Sequence, residues 1–302
     1  MIATNRDYFK LHFIVFLWGF TAVLGKLISI PSVEMVLYRT LLAAVGMGVV
    51  MLFVKTSFSI TRQDFIKLSL IGIIVAIHWI TFFAAGKISN PSTSLVGFAT
   101  CAFWAALFEP IAKRKKIQLL EIGLGVVGLV GLAIILAFDF AYPLGLFLGV
   151  ISGMTAALFS VINSKLIYRV NAYTITFYEM IGACLSILLF LPLYKNSLAT
   201  HHELNLVPTF VDWIYIALMA WACSVYAYAA AIDLMRKLSV FFIQLALNLE
   251  PVYGIILALL VFGRQEVMNT NFYIGALIIL GAVIAYPFLK KKTEGQLNTP
   301  AQ

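Results

Sequence analysis

Charge is what this chain lacks. Only 11 % of its 302 residues are Asp, Glu, Lys or Arg, against about 25 % in a soluble globular domain. So few charges cannot clothe a folded surface in water. With 62 % hydrophobic residues and a mean hydropathy of +0.99, the chain reads as an all-α integral membrane protein. Cysteine is nearly absent too. Cys101, Cys184 and Cys223 lie far apart inside apolar runs without ligand spacing, so no metal site is expected and nothing follows about redox compartment. Missing as well are a Walker A loop, His-Glu-x-x-His, a Gly-x-Ser-x-Gly elbow and a dinucleotide fingerprint. No nucleophile is paired with a base inside the apolar runs, which argues against an enzyme and leaves no cofactor to expect. Any transport must then run on gradients, since no ATPase domain is present. No small-x-small cleavage site closes the first apolar run, so it reads as a retained helix and not a signal peptide.

What is present is a series of apolar runs. A membrane span needs about 20 mostly apolar residues, and ten runs satisfy this, near 9–28, 33–54, 65–86, 92–110, 118–138, 143–168, 172–194, 211–233, 239–262 and 270–289. The connections are short except 195–210, where the adjacent His201 and His202 are a weak metal signal. The net charge of +8 is spread between the runs, which excludes a nucleic-acid patch. Ten spans put 16 basic residues on one side, including Lys113-Arg114-Lys115-Lys116 and Lys290-Lys291-Lys292. The other side holds 4, namely Lys26, Lys87, Lys195 and Arg264. By the positive-inside rule both termini are cytoplasmic, and a bacterial cytoplasmic (inner) membrane is the expected location.

Five spans per half require oppositely oriented halves, and the chain divides as 1–140, 141–290 and a polar cytoplasmic tail 291–302. Faint traces agree. Lys26 precedes Tyr38-Arg39 by 12 residues, and Lys165 precedes Tyr178-Glu179 by 13. Gly145, Gly149 and Gly153 on span six suit close helix packing, within one chain or across a homodimer.

A few ionisable groups lie well inside the spans: Arg39, His78, Glu179 and Glu250. Inserting the first, third and fourth costs roughly 8–10 kcal/mol at helix-centre rates, so they must face one another or a wet cavity. The densest polar stretch is Gln244 to Tyr253, where Pro251 removes an amide and bends the helix. Glu250 reads either as a structural partner of Arg39 or as a ligand site. At 100° per residue, Gln244 and Asn248 share one face and Glu250 and Tyr253 another, so Asn248 and Glu250 meet in one cavity only if Pro251 acts as a hinge in the turn. Arg39 beside Tyr38 suits a substrate carboxylate. His78, Trp79 and Phe82 lie on span three, His78 as a substrate group or an interhelix hydrogen bonder. Trp18 and Tyr178 complete the candidate substrate-binding set.

On Trp18-Gly19-Phe20, Tyr38-Arg39 and Leu247-Asn248-Leu249-Glu250-Pro251-Val252-Tyr253, with Glu266 and Gly275 beyond, the chain resembles an EamA-type member of the drug/metabolite transporter superfamily. Glu109-Pro110 departs from that pattern. The resemblance implies alternating access around a central cavity and movement, as export or uptake, of a small polar metabolite such as an amino acid. Its partners would be that substrate and membrane lipid, in a monomer or homodimer. Carriage of nucleotide-sugars or amphipathic drugs on the same fold is the alternative, and a non-transporting membrane protein is the reading behind it.

Overall fold

The structure is a computed structural model that describes residues 3–135, 142–253 and 270–297. Every regular element among them is helical. In a hydrocarbon medium each backbone amide and carbonyl must be satisfied within its own segment, which selects helices for apolar runs. In chain order they are α1 (Asn5–Gly19), α2 (Thr21–Leu27), α3 (Ser32–Val54), α4 (Arg62–Ile88), α5 (Pro91–Phe98), α6 (Cys101–Ala112) and α7 (Leu119–Ile135). Then come α8 (Pro143–Leu166), α9 (Ala172–Ser197), α10 (Phe210–Leu218), a π-helical stretch (Met219–Tyr228), α11 (Ala229–Leu234), α12 (Val240–Leu247) and α13 (Thr270–Leu297).

Eight helical segments are long and apolar enough to cross a membrane, and shorter apolar helices, Leu119–Ile135 and Val240–Tyr253, fall on the fifth and ninth predicted runs. Both short helices adjoin residues outside the described ones, where Arg264 and Glu266 also lie. The outer faces carry Phe53, Leu70, Leu189 and Leu277, all exposed. Water would penalise such a surface; lipid does not.

Packing follows a pattern that exchanges the two halves. α3 lies on α9, α6 on α12 and α7 on α13, each pair joining corresponding positions. α4 packs on α8 and α9, and the unit from α10 to α11 packs correspondingly on α1 and α3. Close approach depends on glycine at the crossings. A Cβ on Gly149 would lie 2.9 Å from the Gly97 Cα, and one on Gly182 would lie 2.7 Å from the Ser69 carbonyl oxygen. The stripe Gly145, Gly149 and Gly153 is thereby occupied within the chain, by Ser89, Gly97 and Phe98.

The polar contacts at the two ends match in pairs. At one end Thr61 caps α4 by accepting the Asp64 amide, and Asp64 pairs with Arg169 in the α8–α9 connection. At the other end Thr209 caps α10 by accepting the Asp212 amide, and the Asp212 carboxylate accepts from the Ser29 amide (2.8 Å) and hydroxyl (2.6 Å) in the α2–α3 connection. The tyrosines follow suit. Tyr178 donates to the Phe58 carbonyl ahead of α4, and Tyr38 to the Leu206 carbonyl ahead of α10, each at 2.7 Å.

Candidate functional site

Four apolar helical segments are broken in mid-course. Asn5–Leu27 is interrupted at Phe20, Thr93–Ala112 at Ala99–Thr100, Phe210–Leu234 widens to i→i+5 bonding over Met219–Tyr228, and the shorter apolar helix Val240–Tyr253 breaks at Asn248–Leu249. Discontinuous helices free backbone groups at membrane depth, which is tolerable only where protein or a cavity satisfies them. Three are satisfied locally. The Trp18 indole donates to the Cys223 carbonyl (2.9 Å), Thr21 Oγ1 donates to the Trp18 carbonyl (2.8 Å) and Thr100 Oγ1 to the Gly97 carbonyl (2.7 Å).

All four breaks border one cavity of about 70 Å³, room for a few water molecules. Its lining includes Trp18, Arg39, His78, Trp79, Phe82, Gln244 and Glu250 from the candidate set. Phe83, Phe98, Phe159 and Tyr228 join them, so that aromatic rings make much of the wall. The rings touch in sequence: His78 and Phe98 centroids are 5.6 Å apart, His78 and Phe159 5.5 Å, Phe159 and Tyr228 5.7 Å, and Tyr228 and Trp79 6.2 Å.

Arg39 is buried on α3. Its guanidinium carbon lies 4.0 Å above the Trp79 ring centroid, and Nε donates to Ser224 Oγ at 2.9 Å. The π-helical stretch matters here, because it turns Ser224 toward α3 while the Ser224 hydroxyl bonds the Met219 carbonyl five residues back. Glu250 is 4 % exposed and has neither a hydrogen bond nor an ion pair to any described residue. A direct Arg39–Glu250 pair is therefore not formed. The two charges line the same cavity from different helices, and Arg39 is compensated by aromatic faces and a serine instead.

The break in Val240–Tyr253 decides the geometry of the polar stretch. The Asn248 and Leu249 amides bond Leu245 and Ala246, three residues back, at 3.2 and 3.0 Å, and the helix resumes where Tyr253 bonds Leu249 at 3.0 Å. The tightened turn precedes Pro251, whose missing amide frees the Leu247 carbonyl. Gln244 and Glu250 consequently reach the cavity together, against the expectation that they occupy different faces. Asn248 turns away and packs against Gly128 of α7, both its amide atoms buried without a partner among the described residues. Tyr253 also points elsewhere, its hydroxyl 2.6 Å from His12 Nδ1 on α1. Tyr38 and Tyr178 are spent on the loop contacts given above. Of the eleven candidates, Tyr38, Tyr178, Asn248 and Tyr253 are thus not on this wall.

Gln244 Nε2 donates to Ser160 Oγ at 2.9 Å, leaving Oε1 buried and unpartnered among the described residues. His78 Nδ1 lies 3.0 Å from the Ser152 carbonyl, which can only accept, so Nδ1 carries the proton and Nε2 is the acceptor. Both roles considered for His78 are thereby compatible: it bonds α8 and lines the cavity. Sequence reasoning missed Ser160, Ser224 and Tyr228, because a lone hydroxyl in an apolar run carries no signal of which helix it faces. Among the described residues no group of His, Cys, Asp and Glu could hold a metal ion.

No curated protein sequence matches the chain. A solved chain, described in print only as a crystal structure of a protein, aligns with a TM-score of 0.76 at 15 % identity, covering 96 % of this chain and 98 % of its own. That likeness concerns the fold alone. Residues 8–137 and 143–286 each match the EamA-like transporter family. The chain is an integral membrane protein that belongs to the EamA-like transporter family.

Proposed function

We propose that this protein is a secondary transporter that carries a small amino acid with an apolar or aromatic side chain by alternating access. The observation that carries the reading is the pair of buried, unlike charges on one aromatic cavity without a bond between them. A zwitterion completes such a site. Its carboxylate takes the remaining guanidinium donors of Arg39, its ammonium meets Glu250 and the free Gln244 Oε1, and its side chain lies among Trp18, Trp79 and Phe82. Each buried charge then gains the partner it lacks, which is how a costly residue in a membrane is made useful. The site as it stands is smaller than such a substrate, so the walls must part, and the breaks beside Phe20, Ala99 and Pro251 supply the hinges.

The paired contacts of Tyr38 with Tyr178 and of Asp212 with Asp64 support two halves of inverted topology. The positive-inside rule supports placing the lysine-rich end, with both termini, in the cytoplasm. A nucleotide-sugar is the poorer candidate, since Arg39 alone cannot neutralise a pyrophosphate. An amphipathic cation suits the rings and Glu250 but leaves Arg39 facing a like charge. Counterflow of radiolabelled L-phenylalanine in proteoliposomes tests the reading. Exchange should fall at least tenfold in Arg39→Ala and Glu250→Gln variants that keep the wild-type elution profile. Undiminished exchange in both would overturn the assignment, and its direction follows from the gradients imposed.

A further inference from the structure

A second carboxylate stands behind the cavity wall. Glu179 of α9 and Asn163 of α8 are both 0 % exposed. Asn163 Nδ2 donates to Glu179 Oε2 at 3.2 Å, and the Tyr228 hydroxyl donates to the same oxygen at 2.7 Å. Tyr228 in turn lines the cavity, its ring against Trp79 and Phe159. Two atoms of this cluster have no partner among the described residues, Glu179 Oε1 and Asn163 Oδ1. Both are acceptors, and they belong to side chains already joined through their other ends.

We propose that Glu179, with Asn163 and Tyr228, is a proton-binding site and that the proton is the coupling ion; the coupling half of this rests on the transport reading above. One added proton answers both orphaned atoms. Placed on Oε1, it makes that oxygen a donor, and Asn163 Oδ1 is the acceptor that lacks one. The carboxyl and the amide then close a two-bond ring of the kind formed by an acid with a primary amide. Without that proton, a full negative charge sits at membrane depth with two donors on one oxygen and none on the other, and behind the wall it has neither the cavity water nor the substrate ammonium that Glu250 can meet.

Among the described residues no cation pairs with Glu179 to replace it. Tyr228 is the titratable group in contact. Among the described groups on the elements packed around α9, Arg39 bonds Ser224, His78 bonds Ser152, Asp64 pairs with Arg169, and Asp233 with Lys10 and Arg236. Glu34 accepts from the Asn205 amide, Lys87 donates to the Ile28 and Ile30 carbonyls, and Lys165 is exposed at the end of α8.

Tyr228 gives the site its route to the cavity. To load the site, the tyrosine O–H bond breaks as its proton passes to Oε2, and the phenol oxygen takes a proton from a hydronium ion in the cavity, leaving water; rotation of the carboxyl by half a turn then carries the protonated oxygen to Asn163 Oδ1, and unloading runs in reverse. An ionised Glu179 holds Tyr228 firmly as donor, whereas a neutral one accepts more weakly and releases the ring that packs on Trp79, beneath Arg39. Proton occupancy is thus conveyed to the wall that grips the substrate.

Two measurements test this. Infrared pH-difference spectra of the purified protein should contain a protonated-carboxyl C=O band that persists in Glu250→Gln and is absent in Glu179→Gln; a band unchanged in Glu179→Gln overturns the site. Tyr228→Phe, which keeps the ring, should shift the pH at which that band titrates, and no shift would remove the tyrosine from the route. In vesicles with an imposed pH gradient, L-phenylalanine accumulation by Glu179→Gln should drop at least tenfold while counterflow without a gradient stays near wild type. Wild-type counterflow with no response to the pH gradient overturns the coupling and leaves the transport reading intact. Wild-type vesicles that exchange no L-phenylalanine count against that reading, and the infrared band still decides the proton site.

Discussion

Replacing Trp79 by leucine should loosen substrate binding through Arg39 and not through the loss of wall alone. At the centre of a span an arginine costs about 2.5–3.5 kcal/mol on insertion scales. Its guanidinium carbon is 4.0 Å from the Trp79 ring centroid and 5.6 Å from that of Phe83, and Nε has its hydrogen bond to Ser224. A desolvated cation–π contact with tryptophan contributes about 2 kcal/mol, and a hydrogen bond to a charged group about 1.5–3 kcal/mol. Together these are the size needed to offset the insertion cost, which explains a lone arginine without a carboxylate. Trp79→Leu removes the first contribution, and at 1.4 kcal/mol per tenfold that is roughly a 30-fold loss of L-phenylalanine affinity in counterflow. Trp79→Phe keeps a ring and should lose only about fivefold. The decisive comparison is a double-mutant cycle. With Arg39→Ala already in place there is no cation to hold, so Trp79→Leu should add less than about twofold. An equal loss in both backgrounds would refute the reasoning and reduce Trp79 to packing.

Three further outcomes follow from contacts outside the cavity. Glu109 Oε2 accepts the buried Phe241 amide at the start of α12 (2.9 Å) while Oε1 pairs with Lys113 (2.6 Å). Glu109→Ala should destabilise the fold by about 2–3 kcal/mol, against roughly half that for Glu109→Gln, as read by thermal unfolding in detergent; an unshifted alanine variant would show that the cap contributes nothing. Gly149→Leu has no space beside Gly97 and should cost at least about 1–3 kcal/mol, visible as lost monodisperse protein, whereas Gly123→Ala, with nothing within 4 Å of the new Cβ, should be silent. Lys87 Nζ donates to the Ile28 and Ile30 carbonyls at 2.6 Å each. Lys87→Met should free the α2–α3 connection and speed maleimide labelling of a cysteine placed at Ser29 several-fold; equal labelling rates would deny the latch.

Hydropathy made the crossings legible because the bilayer's demand for satisfied backbone acts on whole segments of about 20 residues. The breaks were not legible in the same way. Pro251 announces one of them, but Phe20 and the π-helical stretch carry no proline, and the side-chain bonds that reach the π-helical stretch come from other helices, from Trp18 to the Cys223 carbonyl and from Arg39 to Ser224. Residues 185 and 205 positions apart leave no local trace in a sequence. Within the site, His78, Trp79 and Phe82 were readable as neighbours on one helix. Tyr38 and Tyr178 lie off this wall for a reason helix geometry supplies. Successive residues project about 100° apart, so a helix that turns Arg39 or Glu179 inward swings the preceding tyrosine aside.

That swing is itself informative, since both tyrosines reach the loop ahead of a corresponding helix, Tyr38 before α10 and Tyr178 before α4. The same two helices open with Thr61-x-x-Asp64 and Thr209-x-x-Asp212, a capping pattern visible in the bare sequence. In each the aspartate goes on to seize the connection between the first two crossings of the opposite half, at Arg169 and at Ser29. A capping aspartate that also ties a distant loop is a contact that can break without unfolding its helix. Two such ties, one at each end and related by exchange of the halves, would serve as the gates of the proposed alternating access, each opening only while the other holds.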